Sequence, residues 1–169
     1  ATRPRTAFRP ERDLQTAGFR GCLRDLGTVI NTLNNPTDFA NNYARHVEGF
    51  EDVVSADLPA EITAGGNDVV ADTDVLVIRT VDDPSLQLTA NMVNNSSDPV
   101  TVPGLDAAAP DTPAAGDIML VTDCGGSAIF EVTAFDEGTG TIVHDAGAGS
   151  PGNSSKNMVR RYTAGAQLF

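Results

Sequence analysis

Three stretches of the chain carry apolar and β-branched residues in patterns that are typical of β-strands. Residues 74–81 (DVLVIRTV) form a continuous run that suits a buried strand and is too short for a helix. Residues 118–124 (IMLVTDC) form a second run, and residues 86–92 (LQLTANM) alternate between apolar and polar positions. We expect 86–92 to pair with 74–81 across the DDPS turn at 82–85.

A hairpin is predicted further along the chain. The segments 128–135 (AIFEVTAF) and 139–145 (TGTIVHD) flank a D-E-G turn, whose glycine is able to adopt positive φ. A last strand is expected within residues 158–169 (MVRRYTAGAQLF). Many short strands separated by loops rich in Gly, Pro, Asn and Asp are therefore expected.

The N-terminal part of the chain predicts a helix. Residues 1–10 indicate a basic arm, and residues 11–169 are long enough for one domain with its own core. Pro10 fits the first turn of a helix, and the acids that follow it suit the positive end of the helix dipole. Gly18 or Gly21 can end the helix in a left-handed cap. One helix followed by strands and long loops is an α+β pattern.

The charge distribution limits the partners of the protein. The net charge is −12, yet six arginines stand among the first 24 residues and the last 14 residues contain no acid. The acids are therefore concentrated in the body of the chain, which repels phosphate groups, and we expect no nucleic acid to bind there. No apolar run reaches the roughly 18 residues that a membrane-spanning helix needs.

Catalytic residues are few. His46 and His144 are the only histidines, and a Ser-His-Asp arrangement could form only if the fold brought one of them to a serine. Ser127, in the sequence CGGSAI, lacks the second glycine of a G-x-S-x-G nucleophile elbow. We therefore expect that the protein is not an enzyme.

Acidic loops offer oxygen ligands of the kind that calcium accepts. The candidates are Asp68, Asp72 and Asp74 in one loop and Asp136 and Glu137 in another. Neither loop matches the twelve-residue spacing of an EF-hand, two cysteines and two dispersed histidines do not fit a zinc site, and no glycine-rich nucleotide motif is present. We expect no metal and no other cofactor, with calcium binding by the acidic loops as the alternative.

The two cysteines leave two possibilities open. Cys22 follows the predicted helix and Cys124 ends a predicted strand, so in an oxidising compartment one disulfide between them is the simple arrangement. Such a bridge would close a loop of about 100 residues and contribute roughly 4–5 kcal/mol on the chain-entropy model. The other possibility is two reduced thiols in a cytosolic core.

One further block is distinctive. RDLQTAGFRGC (12–22) resembles the segment R-D-L-x-x-A-G-[YF]-x-G-C at the end of the N-terminal helix in PilW-type minor pilins of the type IV pilus. The resemblance continues in chain order through HVEGFE (46–51), GNDVVADTDVLVIRT (66–80), LVTDCGGSAIFEVT (120–133) and GNSSKNMVRRYTAGAQL (152–168). The first and fourth blocks are the more specific ones.

The resemblance implies a type IV pilin-like fold, in which the C-terminal part of an N-terminal helix packs on an antiparallel β-sheet. It implies a disulfide between Cys22 and Cys124, formed in the periplasm. It also implies a structural role in the priming or tip complex that starts pilus assembly, in support of twitching motility, adhesion or DNA uptake. The partners would be other minor pilins, the major pilin and a large tip adhesin. The location would be the periplasmic face of the inner membrane, then the extracellular pilus.

Two departures from the family pattern qualify that expectation. The apolar helix that anchors pilins in the inner membrane is absent from this chain, and the family continues with further strands beyond the point where this chain stops. Two other functions stay open. One is a J-type pseudopilin of type II secretion, and the other is a calcium-dependent extracellular binding or adhesin module.

Overall fold

A computed structural model describes residues 14–15, 17–19, 29–64, 69–81, 86–105, 112–147 and 149–169. Of these residues, 32% lie in strands and 9% are helical. The strands are β1 Val29–Asn31, β2 Val47–Val53, β3 Thr73–Ile78, β4 Leu86–Gln87, β5 Val100–Thr101, β6 Ile118–Asp123, β7 Gly126–Glu131, β8 Ala134–Asp136, β9 Thr141–Val143 and β10 Gln167–Leu168. The helical elements are an α-helix at Ala60–Thr63 and 3₁₀ turns at Phe39–Asn41 and Ser55–Asp57.

The chain divides into two compact units. The first consists of Ala1–Phe19 and Asn42–Val81, and its strands β2 and β3 form an antiparallel pair. The register shifts between Phe50 and Val53, where Asp52 adopts a φ of 47°. In this β-bulge two residues of β2, Glu51 and Asp52, lie opposite one residue of β3, Asp74.

The second unit consists of Arg20–Asn41 and Asp82–Phe169 and contains two sheets. In the five-stranded sheet the order is β1-β7-β6-β10-β4, with β1 parallel to β7 and the other neighbours antiparallel. In the three-stranded sheet the order is β5-β9-β8. Every residue of β7 is buried, as expected for a strand with neighbours on both sides and cover on both faces.

Both sheets of the second unit contribute to one hydrophobic core. Phe130 on β7 and Ile142 on β9 are fully buried there, together with Met158 and Tyr162 from the segment that precedes β10. Because side chains of a strand alternate between faces, the apolar residues at alternate positions of β7 reach this core together. The core is therefore built from segments that are far apart in sequence.

The predicted α+β, pilin-like fold is wrong for the described residues, which form a mostly β structure with one short α-helix and no long N-terminal helix packed on a sheet. Leu14 and Gln15 are helical, but Gly18 has a φ of 69° and its N–H donates to the carbonyl of Arg79, 3.0 Å away. That N–H is therefore bonded to a residue outside any local helix. The predicted arm at residues 1–10 lies outside the described residues, so the division into arm and domain stays a prediction.

The strand positions were predicted better than their pairing. The runs at 74–81 and 118–124 contain β3 and β6, and the D-E-G turn joins β8 to β9. The expected pairing of 86–92 with 74–81 is wrong, because β4 pairs with β10 instead. A turn sequence favours a local hairpin, but a strand binds whichever edge the tertiary fold presents to it.

Candidate functional site

The most elaborate constellation surrounds the turn that follows β6. Asp123 pairs with Gly126, so Cys124 and Gly125 form a two-residue connection between β6 and β7. A carboxylate oxygen of Asp123 accepts the N–H of Gly125 at 2.8 Å, which closes the turn locally. Cys124 is exposed and disulfide-bonded. The turn therefore presents a disulfide at the surface on a rigid two-strand support.

Arg160 holds this turn from a distant part of the chain. Its Nη2 donates to the second carboxylate oxygen of Asp123 at 2.9 Å. A side chain at Gly125 would place its Cβ 2.5 Å from Nη1 of Arg160, so only glycine leaves the guanidinium in this position. Arg160 thus ties the segment before β10 to the disulfide-bonded turn.

The ring of Tyr162 packs against the guanidinium of Arg160. The guanidinium carbon of Arg160 lies 5.5 Å from the centre of the Tyr162 ring, within the range of a cation–π contact. The tyrosine is fully buried, its hydroxyl has no hydrogen-bond partner among the described residues, and burial raises its pKa above the ordinary value. The phenol therefore stays neutral, and its ring serves as a packing surface.

A second polar junction lies at the other end of β7. The side-chain amide of Asn153 bonds both backbone groups of Glu131: Oδ1 accepts its N–H at 2.8 Å and Nδ2 donates to its carbonyl at 2.7 Å. The carboxylate of Glu131 in turn accepts the N–H of Gly152 at 2.8 Å. Glu131 and Asn153 are both buried, where water cannot supply hydrogen bonds, so these polar groups are satisfied by each other.

Gly152 is required by this junction. Its φ is 67°, and a Cβ there would collide with the backbone of Gly149 and Gly147. Only glycine combines that conformation with such close backbone approach. The sequence G-N at 152–153 is therefore explained by steric fit and by a buried amide.

The serine and the two histidines that were considered for catalysis each have a structural environment. Ser127 is fully buried on β7, and its hydroxyl has no hydrogen-bond partner among the described residues. His144 is buried in the second unit, its Nε2 lies 2.9 Å from the carbonyl oxygen of Asp98, and its ring contacts Phe130 at 5.2 Å. Burial lowers the pKa of His144, so it acts as a neutral core residue. His46 lies in the first unit, where its ring packs over Gly18.

The acidic loops use their carboxylates to organise turns. Asp74 accepts the N–H of Asp52 at 3.2 Å, and Asp136 accepts the N–H of Thr139 at 2.9 Å, which lowers the pKa of Asp136. Asp72 has a φ of 59°, typical of a turn. Within the described ranges, no three His, Cys, Asp or Glu side chains come together as metal ligands. The calcium alternative also named Glu137, which follows Asp136 in its turn, and Asp68, which lies outside the described residues.

One of the two cysteines of the predicted disulfide lies among the described residues. Cys124 is disulfide-bonded, and the chain contains one other cysteine, Cys22. Cys22 lies outside the described residues, so the pairing of these two residues stays a prediction.

The residues that build the site were not singled out from the sequence. In the sequence, Arg160 belongs to a C-terminal segment without acids and Asn153 to a G-N pair, and neither feature by itself predicts a site. Arg160 and Tyr162 are two positions apart, a spacing that is typical of side chains on one face, and this spacing is the available signal. Their partners are far away in the chain, so spacing alone could not identify them.

Comparison with known proteins gives no relative: no family model, curated protein or solved structure matches this chain. Within the part of the chain that the structure describes, no helix has the length and apolar character needed to cross a membrane.

Proposed function

We propose that this protein is a non-catalytic structural subunit of a type IV pilus, in the role of a minor pilin that takes part in starting pilus assembly. The proposal concerns this role and not the pilin fold. It rests first on the sequence blocks that resemble PilW-type minor pilins.

The observation that carries the proposal is that four of these blocks contact one another in two pairs. The block at 46–51 supplies most of β2, which pairs with β3 from the block at 66–80. The block at 120–133 supplies the disulfide-bonded turn, which Arg160 of the last block holds through Asp123. Residues that share a family pattern for structural reasons are expected to touch in this way. Their contacts support a common structural role.

The chemistry of the described residues supports an assembly role. Ser127 and His144 are buried in the second unit, where Nε2 of His144 lies at the carbonyl oxygen of Asp98, and the ring of His46 packs over Gly18 in the first unit. A surface disulfide at Cys124 suits an oxidising compartment, which in bacteria is the periplasm or the cell exterior. We therefore propose the periplasmic face of the inner membrane, then the pilus, as its location. Other minor pilins, the major pilin and a tip adhesin are the proposed partners.

Deletion of the gene in its native bacterium tests this role. We expect surface pili to be lost or sharply reduced in electron micrographs, and to return when the full-length protein is supplied. We also expect the full-length protein to co-purify with other pilin subunits. Normal piliation without any co-purifying pilin would contradict the proposal, and a secretion defect with normal pili would instead indicate a type II pseudopilin.

The disulfide provides a matched chemical test. In protein isolated from the periplasm or pilus, both thiols should resist alkylation until a reductant is added. Replacing both Cys22 and Cys124 with Ser should lower the free energy of unfolding by up to about 5 kcal/mol, because the bridge closes a long loop. Free thiols in the isolated native protein would contradict both the pairing and the oxidising location.

A further inference from the structure

The two-stranded sheet of β2 and β3 has the sequence of a buried element but is not buried. The run TDVLVI of β3 is apolar enough for an interior strand, yet none of its six residues is buried. Of the seven residues of β2, only Val53 is buried. A sheet of only two strands is marginally stable in water, so this pair of strands is expected to gain stability from further cover.

One face of this two-stranded sheet accounts for most of the exposure. The register pairs Val47 with Ile78 and Gly49 with Leu76, so these four residues share one face. Val47 is 46% exposed and Leu76 is 52% exposed. Large apolar side chains grouped on one open face indicate a surface at which another chain binds. We call these four residues the open face.

The opposite face already has partners within the first unit. Glu48 accepts hydrogen bonds from Arg79 at 2.6 Å and from Arg45 at 2.8 Å. The N–H of Gly18 donates to the carbonyl of Arg79. These contacts use the charged groups and backbone at that side, so a docking partner has its place on the open face.

Gly49 sits in the middle of the open face without an internal reason to be glycine. It is absent from the positive-φ residues, and a Cβ built on it meets no atom within 4 Å. Glycine weakens a strand interior and often marks a place where another backbone or a ligand approaches closely. The reason for this glycine is therefore expected to lie outside the chain.

The end of the open face is acidic. Glu51 lies two positions from Gly49 and Asp74 lies two positions from Leu76, at the β-bulge, and both are exposed. Asp74 also accepts the N–H of Asp52 at 3.2 Å, and neither carboxylate has an ion pair among the described residues. An apolar surface that ends in two carboxylates is complementary to an apolar segment that ends in Lys or Arg. Burying a carboxylate without a cation would be costly, so the partner needs that charge.

We propose that the open face binds a neighbouring pilus subunit, through a segment that places apolar side chains over Gly49 and a Lys or Arg against Glu51 and Asp74. This inference rests on the proposed function, because the partner is a subunit of the same pilus. The close approach of its backbone above Gly49 makes the contact specific, since any larger side chain there would hold the two chains apart.

The test uses Gly49→Val, with Gly147→Val as the matched control. Both glycines lack positive φ and have open space where a Cβ would stand, so both variants should fold. Valine favours strands, so the Tm of Gly49→Val should equal or exceed that of the unmodified protein. The purified chain is titrated against the soluble heads of the other pilin subunits of the same bacterium, and its own self-association is measured by sedimentation.

We expect one of those subunits to bind, and Gly49→Val to weaken the binding at least tenfold while Gly147→Val leaves it unchanged. Leu76→Thr should weaken it as well, and Glu51→Gln should reduce its dependence on salt. Equal binding by Gly49→Val and the unmodified protein would overturn the inference, as would self-association as the only contact.

A piliation assay separates this inference from the proposed function. If deletion removes pili and Gly49→Val restores them fully, the open face is not the contact but the pilus role stands. If deletion removes pili and no pilin head binds, the inference fails alone. If deletion leaves pili intact and no pilin head binds, the proposed function fails and the inference fails with it.

Discussion

Replacing Asn153 with Ala should lower the free energy of unfolding by about 3 kcal/mol, because it leaves two buried backbone groups without partners. The amide of Asn153 lies 2.8 Å from the N–H and 2.7 Å from the carbonyl of Glu131, and only 1% of Asn153 is exposed. Each buried group that loses its hydrogen bond costs about 1–3 kcal/mol, so two of them lead to this estimate. Because the junction is buried, solvent water does not replace the two lost hydrogen bonds.

Urea unfolding followed by far-ultraviolet circular dichroism measures this change. Asn91→Ala is the matched control, because the amide of Asn91 also accepts a backbone N–H, from Ala164 at 2.9 Å, but at an exposed position. Water can replace that bond, so we expect a loss below about 1 kcal/mol for the control. A loss from Asn153→Ala no larger than that from Asn91→Ala would refute the reasoning about buried backbone groups.

Three further changes follow from the structure. Burial lowers the pKa of His144, so stability should be complete above the unfolded-state pKa of about 6.5 and fall as the pH drops below it; urea midpoints at about pH 7 and pH 5 should differ less for His144→Gln. Arg160→Ala should cost about 1 kcal/mol in urea unfolding through loss of the Asp123 ion pair and the ring contact, and Arg160→Lys should recover part of it. Val159 has a φ of 66°, so Val159→Gly should raise the free energy of unfolding by about 1 kcal/mol; a lower Tm would contradict this.

Strand positions followed from local composition, whereas the fold class did not. The β-branched runs at 74–81 and 118–124 and the turn after Asp136 correspond to β3, β6 and the β8–β9 connection. The α+β assignment depended on a long N-terminal helix packed on a sheet, which is absent from the described residues. Of the predicted helix between Pro10 and Gly21, the structure describes Leu14 and Gln15 as helical and gives Gly18 a positive φ. Local composition indicates where a helix turn forms, but whether a helix packs on a sheet depends on tertiary contacts.

The candidate site shows the same division. The sequence indicates Cys124 as a disulfide candidate, because the chemistry of a thiol is apparent from residue type alone. Arg160 reaches Asp123 across 37 positions, and Asn153 reaches Glu131 across 22. Neither pair has a sequence signature, since a hydrogen bond between distant residues depends on where each strand ends in space.

Residue order along the chain was enough to place most strands, the tight turns and the acidic body, because backbone conformation and charge depend mainly on nearby residues. Tertiary structure alone decided the sheet order and the parallel pairing of β1 with β7. It also decided the burial of His144 and Ser127 and the exposure of the two-stranded sheet of β2 and β3. Long-range pairing is governed by which edges and faces remain free once other strands have packed. That competition involves the whole chain, so no local pattern records its outcome.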